Sequence, residues 1–76
     1  MSNLFNKVIS GRQFNFQPVE FGHEIEYHVD VKDEDGKRWE FRMVRTDGKW
    51  NLEGEMLPEW ISDLVESFGR AIDEKE

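Results

Sequence analysis

The chain has 76 residues and no cysteine, and its 17 acidic and 10 basic residues give a formal net charge of −7 at pH 7. We therefore expect one domain, residues 1–76, whose small core has neither a disulfide nor a thiolate-bound metal to support it. Lys and Arg are too few and too scattered to favour binding to nucleic-acid phosphates or to an anionic membrane surface. The sequence also lacks the run of about 20 apolar residues that predicts a membrane span. The lack of cysteine suits the cytoplasm, where we expect the protein to act.

Residues 1–11 allow two interpretations. Apolar residues recur at i and i+4, which is typical of a short helix, here capped by Ser2 or Asn3 and ended by Gly11. These apolar residues are Leu4, Phe5, Val8 and Ile9. The alternative is a disordered lead into an edge strand around Val8 and Ile9. The sequence leaves both interpretations open.

The next segment, residues 12–17, predicts a strand in which Phe14 and Phe16 alternate with amide side chains. Pro18 has no N–H to donate to a neighbouring strand, so we expect the strand to end there. Farther along, Gly22 predicts a bulge or a close backbone approach.

Residues 23–52 carry the strongest pattern in the chain, and it predicts three strands joined by two short turns. Apolar and polar residues alternate, as they do in strands with one buried face. The residues that share the apolar face are Ile25, Tyr27, Val29, Val31, Trp39, Phe41, Met43, Trp50 and Leu52.

Two turn sequences predict the register of these strands. The segment 33–36 suits a type I turn closed by a glycine in a left-handed bulge, and Asp47-Gly48 suits a two-residue type I′ turn. The pairs that follow are Val31–Trp39, Val29–Phe41, Tyr27–Met43, Thr46–Lys49, Arg45–Trp50 and Met43–Leu52. Register and hydrophobic pattern agree, and a slip of one residue would move every side chain to the other face.

The last segment predicts a helix over residues 58–74. Pro58 suits the first turn of a helix, and Glu59 beside it complements the helix dipole. One apolar stripe follows, made of Trp60, Ile61, Leu64, Val65, Phe68, Ala71 and Ile72. We expect Gly69 to lie where this helix packs closely on the sheet.

Together these elements predict an α+β fold. It is a four-stranded antiparallel meander over residues 12–53, with the C-terminal helix packed across its apolar face and a possible short N-terminal helix. A sheet with one apolar face must cover that face, and this helix is the only long element available to do so.

The exposed face of the sheet supplies the candidate binding residues, which are Asn15, Glu26, His28 and Arg42. Arg42 can meet His28 and Glu53 across neighbouring strands, with Glu26 or Asp30 on a diagonal. His23 and His28 point to opposite faces, so they cannot share a metal, and we expect no metal, cofactor or catalytic residue. No nucleophile elbow or phosphate-binding loop is present either.

Aromatic side chains can stack nucleic-acid bases, but parity places Trp39, Phe41 and Trp50 on the face that the helix covers. Four strands followed by a helix, over about residues 12–74, resemble in topology the PC4-type single-stranded-DNA-binding coactivators. The resemblance implies single-strand binding. It carries over no binding residue, because the lysine-rich surface of that family has no counterpart here and the helix is acidic. The same pattern is similar to that of small bacterial proteins, which implies no activity.

These observations favour a small, acidic, non-enzymatic module that binds another protein. The alternative is a nucleic-acid-related role, either as a single-strand binder or as an acidic mimic of DNA that occupies a basic protein. We expect a monomer or a weak homodimer, the latter through the edge strand and the apolar residues of the N-terminal segment.

Overall fold

The computed structural model of this chain describes residues 4–21 and 24–75. Within these residues, five antiparallel strands form one sheet, and each pairs with the next in the sequence. They are β1 (Phe5–Ile9), β2 (Arg12–Phe21), β3 (Glu24–Lys32), β4 (Arg38–Thr46) and β5 (Lys49–Glu53), and they are followed by helices α1 (Glu59–Ser62) and α2 (Val65–Lys75). The α+β class, the antiparallel sheet and the C-terminal helix are confirmed. The predicted count of four strands is wrong by one.

The additional strand is β1, which lies where a short helix had been one of two interpretations. It pairs with the first half of β2, so that Phe5 lies opposite Phe16 and Ile9 opposite Arg12. Ser10 and Gly11 form the two-residue turn, with φ of 52° and 79°. Phe5 stacks on Phe16 with ring centroids 4.6 Å apart. The strand predicted around Val8 and Ile9 is therefore confirmed, but it begins earlier, at Phe5. Ser2 and Asn3 lie outside the described residues.

Strand β2 continues through Pro18, where the sequence predicted its end. Pro18 lies opposite Tyr27 of β3, two residues beyond Phe16, where the pairing with β1 stops. In that stretch β2 is itself an edge of the described sheet, and an edge strand tolerates a residue that cannot donate a hydrogen bond. The bulge predicted at Gly22 and the orientation predicted for His23 lie outside the described residues.

Every predicted register between β3, β4 and β5 is confirmed. The β4–β5 turn has positive φ at both Asp47 (53°) and Gly48 (79°), as a type I′ turn requires. In the β3–β4 turn, Gly36 has a φ of 83°, and its N–H donates to the carbonyl oxygen of Asp33 at 3.0 Å.

The Asp33 carboxylate holds that β3–β4 turn together. Its Oδ1 accepts hydrogen bonds from the N–H groups of Asp35 and Lys37, each at 2.9 Å. Its Oδ2 accepts one from the indole Nε1 of Trp39 at 3.1 Å. These donors, the Trp39 indole first among them, hold the pKa of the Asp33 carboxyl below its ordinary value.

The predicted helix 58–74 is divided into α1 and α2. Pro58 is the N-cap residue of α1. The Ser62 hydroxyl donates to the carbonyl oxygen of Glu59 at 3.2 Å, and the N–H of Leu64 donates to the carbonyl oxygen of Ile61 at 3.0 Å. That i→i−3 bond tightens the backbone at residues 63–64, where α1 ends and α2 has not yet begun.

The core lies between the helices and one face of the sheet, which we call the inner face. Its buried residues come from three of the strands, β2, β3 and β4, and from both helices; they are Phe14, Phe16, Tyr27, Val29, Val31, Phe41, Met43, Ile61, Phe68, Ala71 and Ile72. Phe68 of α2 contacts Phe14 and Phe41 at centroid distances of 4.9 and 5.1 Å. Within residues 4–21 and 24–75, none of the helices has the length and apolar character needed to cross a membrane.

Candidate functional site

The opposite face of the sheet, which we call the outer face, has no helix across it in the described structure. Strand alternation turns the apolar side chains of β2, β3 and β4 inward and leaves polar side chains on this side. Those polar side chains are mostly exposed, and they are Gln13, Asn15, Gln17, His28, Arg38, Glu40, Arg42 and Glu53, with Glu26 and Asp30 half-buried among them.

Arg42 is the centre of the outer face. It lies directly opposite His28 on β3 and Glu53 on β5. One of its terminal nitrogens donates to Glu53 Oε1 at 3.0 Å, and the other is 3.6 Å from Glu26 Oε2. The predicted meeting of Arg42 with Glu53 is confirmed. Of the two residues predicted on its diagonal, Glu26 is the one it approaches, whereas Asp30 bonds to Arg38. One guanidinium therefore links β3 and β5 across β4.

Glu26 has a different environment from the carboxylates around it. It lies between Val19 of β2 and Val44 of β4, and only 13% of its side chain is exposed. Its Oε2 has no hydrogen-bond partner within the described residues, because Arg42 at 3.6 Å and His28 at 3.9 Å are both too distant to donate. A movement of Arg42 by a few tenths of an ångström toward β3 would give this oxygen a donor.

A second group of charges lies one row along the strands. Asp30 is opposite Asn15 of β2 and Glu40 of β4. Arg38 donates a hydrogen bond to Asp30 and is 3.3 Å from Glu40 Oε1. Each arginine on this face thus contacts two carboxylates.

These two rows line a hollow of about 430 Å³ that opens to solvent on the outer face. Asn15, His28 and Arg42, three of the four predicted binding residues, line it together with Gln17 and Glu53. The fourth, Glu26, is not among the lining residues and acts on the hollow only through its ion pair with Arg42. Asp30 and Glu40 also line it, so its carboxylates outnumber its guanidinium groups.

Leu4 also lines the hollow, and it was not among the candidates from the sequence. It precedes β1 and is 72% exposed. Its place here depends on the fold-back of β1 along β2. Recognition of Ser10-Gly11 as a hairpin turn is the signal that would have found it.

The hollow presents charged side chains and side-chain amides that can form hydrogen bonds. His28 and Glu26 are too far apart for a hydrogen bond, and the lining residues include no serine, threonine or lysine that could serve as a nucleophile. In the parts of the chain that the structure describes, His, Asp and Glu side chains form no group of three able to hold a metal ion.

No family model, curated protein or solved structure matches this chain. The topological resemblance to single-strand-binding coactivators is weakened by the fifth strand. It is weakened further because Trp39, Phe41 and Trp50, the aromatic side chains of β4 and β5, lie on the inner face of the sheet.

Proposed function

We propose that this protein is a non-enzymatic interaction module that binds a basic segment of a partner protein in the hollow of its outer face. The observation that supports this most directly is the arrangement around Arg42. Three carboxylates line the hollow against two guanidinium groups, and the whole chain carries a net charge of −7. A cationic side chain is the ligand that such a surface attracts.

The shared arginine supplies a way to accommodate that ligand. Arg42 bonds to Glu53 at 3.0 Å, while Glu26 Oε2 has no donor among the residues that the structure describes. When a lysine or arginine of the partner pairs with Glu53, Arg42 is released toward Glu26 and completes the hydrogen bonding of that buried oxygen. One favourable contact is thereby exchanged for two, which offsets part of the cost of removing water from the charges.

The rest of the hollow suits a peptide. Asn15 and Gln17 offer side-chain amides that can bond to a peptide backbone, and the exposed Leu4 gives the same hollow an apolar rim. Mixed polar and apolar character of this kind is usual for protein interfaces that form and dissociate.

The test is an NMR titration of ¹⁵N-labelled protein with a short Lys- and Arg-containing peptide, compared with the same peptide in which Glu replaces the basic residues. We expect the basic peptide to shift the amide signals of Asn15, Gln17, His28, Arg42 and Glu53, and the acidic peptide to leave them unchanged. Shifts confined to α2, or none at millimolar peptide, would show that the hollow is not the site.

Two matched double variants separate this proposal from the idea that the acidic helix imitates DNA. Glu40→Gln with Glu53→Gln removes two negative charges from the hollow, and Glu59→Gln with Glu66→Gln removes two exposed negative charges from the helices. We expect the first pair to weaken basic-peptide binding by about tenfold and the second to change it little. The reverse ranking would assign binding to the helix. Binding of a single-stranded oligonucleotide at low salt in place of the peptide would favour the nucleic-acid role.

A further inference from the structure

The edge of β1 is the least protected strand edge in the described structure. The two-residue turn at Ser10-Gly11 makes Ile9 and Arg12 a hydrogen-bonded pair, so the backbone groups of residues 5, 7 and 9 point toward β2. Those of residues 4, 6 and 8 point away from β2. No described strand pairs with that side of β1.

Proteins usually guard such an edge with proline, charge or a bulge. The residues of β1 are Phe5, Asn6, Lys7, Val8 and Ile9, which include no proline and one charge. That charge is engaged elsewhere, because the Lys7 ammonium bonds to Glu74 of α2 at 3.2 Å. Leu4 and Val8, by contrast, are 72% and 64% exposed beside the edge.

We propose that β1 pairs with β1 of a second copy of this chain, antiparallel and about a two-fold axis at Asn6. Only registers that place outward-pointing backbone groups opposite one another can form the hydrogen bonds. An axis at Lys7 would place two lysines directly opposite each other, which is unfavourable. An axis at Asn6 places Leu4 opposite the partner's Val8 on the outer face, and Val8 opposite the partner's Leu4.

The Asn6 register also forms more bonds. Its three hydrogen-bonded pairs exchange two N–H···O bonds each, about six in total, whereas the register centred on Lys7 reaches only two such pairs before it meets the turn at Ser10. On the inner side of the edge, a hollow of about 250 Å³ between β1 and α2 carries both Arg70 and Glu74 on its wall. A wall with charges of both signs does not repel a copy of itself.

Pairing at β1 makes one ten-stranded sheet from two chains. The two outer faces then form a continuous surface with a binding hollow in each half, and Leu4, which lines that hollow, lies at the junction. The pairing does not depend on the proposed basic ligand, because it uses backbone groups and apolar side chains at the edge.

The chain has no cysteine, so single-cysteine variants report the pairing without interference. Asn6→Cys places the two thiols opposite each other at a Cα separation of about 5.5 Å, within the range that a disulfide spans. Val8→Cys is the matched control, because its two copies lie about 13 Å apart in this register. Lys7→Cys tests the alternative register.

Under mild oxidation at tens of micromolar protein, we expect Asn6→Cys to become a covalent dimer on a non-reducing gel and Val8→Cys to remain a monomer. Equal cross-linking of all three variants would indicate random collision and would overturn the proposal, as would a monomeric Asn6→Cys. Preferential cross-linking of Lys7→Cys would overturn the register.

Sedimentation equilibrium of the full chain provides a second measurement that needs no cross-link. We expect a monomer–dimer equilibrium that Val8→Lys weakens by about tenfold, since it places an unpaired charge in both copies of the apolar contact. Asn51→Lys introduces the same charge on the other edge strand, β5, and is expected to leave the equilibrium unchanged. A parent chain that is monomeric at 0.5 mM, or an equilibrium that responds to Asn51→Lys alone, would overturn the inference.

Discussion

Gly69→Ala tests how closely α2 packs on the sheet, because two opposing effects determine whether this substitution raises or lowers the free energy of unfolding. Gly69 is buried within α2, and alanine at an interior helical position stabilises a helix by about 1 kcal/mol relative to glycine. A Cβ at this position would lie 3.2 Å from Cβ of Trp50 and 3.3 Å from its Cδ1. The added methyl group therefore requires Trp50 or the helix to move by a few tenths of an ångström.

Trp50 is poorly placed to move. Its Nε1 donates to Asp73 Oδ1 at 2.9 Å, and its ring meets Tyr27 edge-on with centroids 5.8 Å apart. The closest contact is to its Cβ, which is attached to the backbone of β5 and cannot rotate away. Overpacking of this kind costs about 1–3 kcal/mol. We expect Gly69→Ala to destabilise the fold by about 1 kcal/mol net, which lowers Tm by roughly 4–8 °C in a domain of this size.

The assay is urea unfolding followed by circular dichroism, for the parent, Gly69→Ala, Asp73→Ala and the double variant. Asp73→Ala removes the hydrogen bond that holds the Trp50 indole, so the cost of the added methyl group should be smaller in that background. A Gly69→Ala protein about 1 kcal/mol more stable than the parent would refute the reasoning, since it would mean that helix propensity outweighs the contact with Trp50.

Three further predictions concern other contacts. Ile61→Ala should lower the free energy of unfolding by about 2–5 kcal/mol because Ile61 is fully buried. In thermal melts this loss should exceed that of Trp60→Ala, since Trp60 is only half-buried and lies under the Arg12 guanidinium. The opposite ranking would make Trp60 the residue that anchors α1. Gly48→Val should lower the free energy of unfolding by about 1–2 kcal/mol, as measured by urea unfolding. The loss comes from the positive φ alone, because nothing lies within 4 Å of the added Cβ. An unchanged urea midpoint would contradict a type I′ turn. Because the pKa of the Asp33 carboxyl is lowered, its contribution to stability is complete above the unfolded-state pKa of about 3.9 and is lost as pH falls through the lower folded-state value. In acid titrations, Asp33→Asn should therefore lose less stability between pH 5 and 2 than the parent. Identical acid profiles would show that the Asp33 turn does not cause the loss of stability in acid.

The register of β3, β4 and β5 could be predicted because two independent signals agreed. Turn sequences fix loop length, loop length fixes pairing, and the pairing placed Tyr27 opposite Met43 on the apolar face. The cross-strand contacts of Arg42 followed from the same register. For these residues, local sequence determines both the fold and the candidate site.

The predictions of secondary structure were wrong where local sequence signals were ambiguous or where tertiary packing determined the structure. In β1, Lys7 occupies an inward position and conceals the alternation of Phe5 and Ile9, while the apolar spacing also fits a helix. What favours the strand is the stacking of Phe5 on Phe16, a contact between segments that the sequence does not reveal. The end of β2 predicted at Pro18 was wrong because β2 pairs only with β3 there, and an edge strand tolerates a residue that cannot donate a hydrogen bond.

The hollow itself lay beyond sequence reasoning for a similar reason. The polarity of Asn15, His28 and Arg42 indicated an exposed face, but a concave surface depends on how the sheet twists and on which segments border it. Leu4 reaches the hollow only because β1 folds back along β2.

The order of the strands in the sheet is also their order in the sequence, and this has a consequence for how the protein folds during synthesis. Each hairpin joins neighbours in the chain, so its loop closes rapidly as soon as its second strand leaves the ribosome. Phe68, Ala71 and Ile72 follow all five strands. Until α2 emerges, the nascent sheet presents an uncovered row of aromatic rings, so the interval before that helix docks is when the chain is most vulnerable to aggregation and most in need of a chaperone.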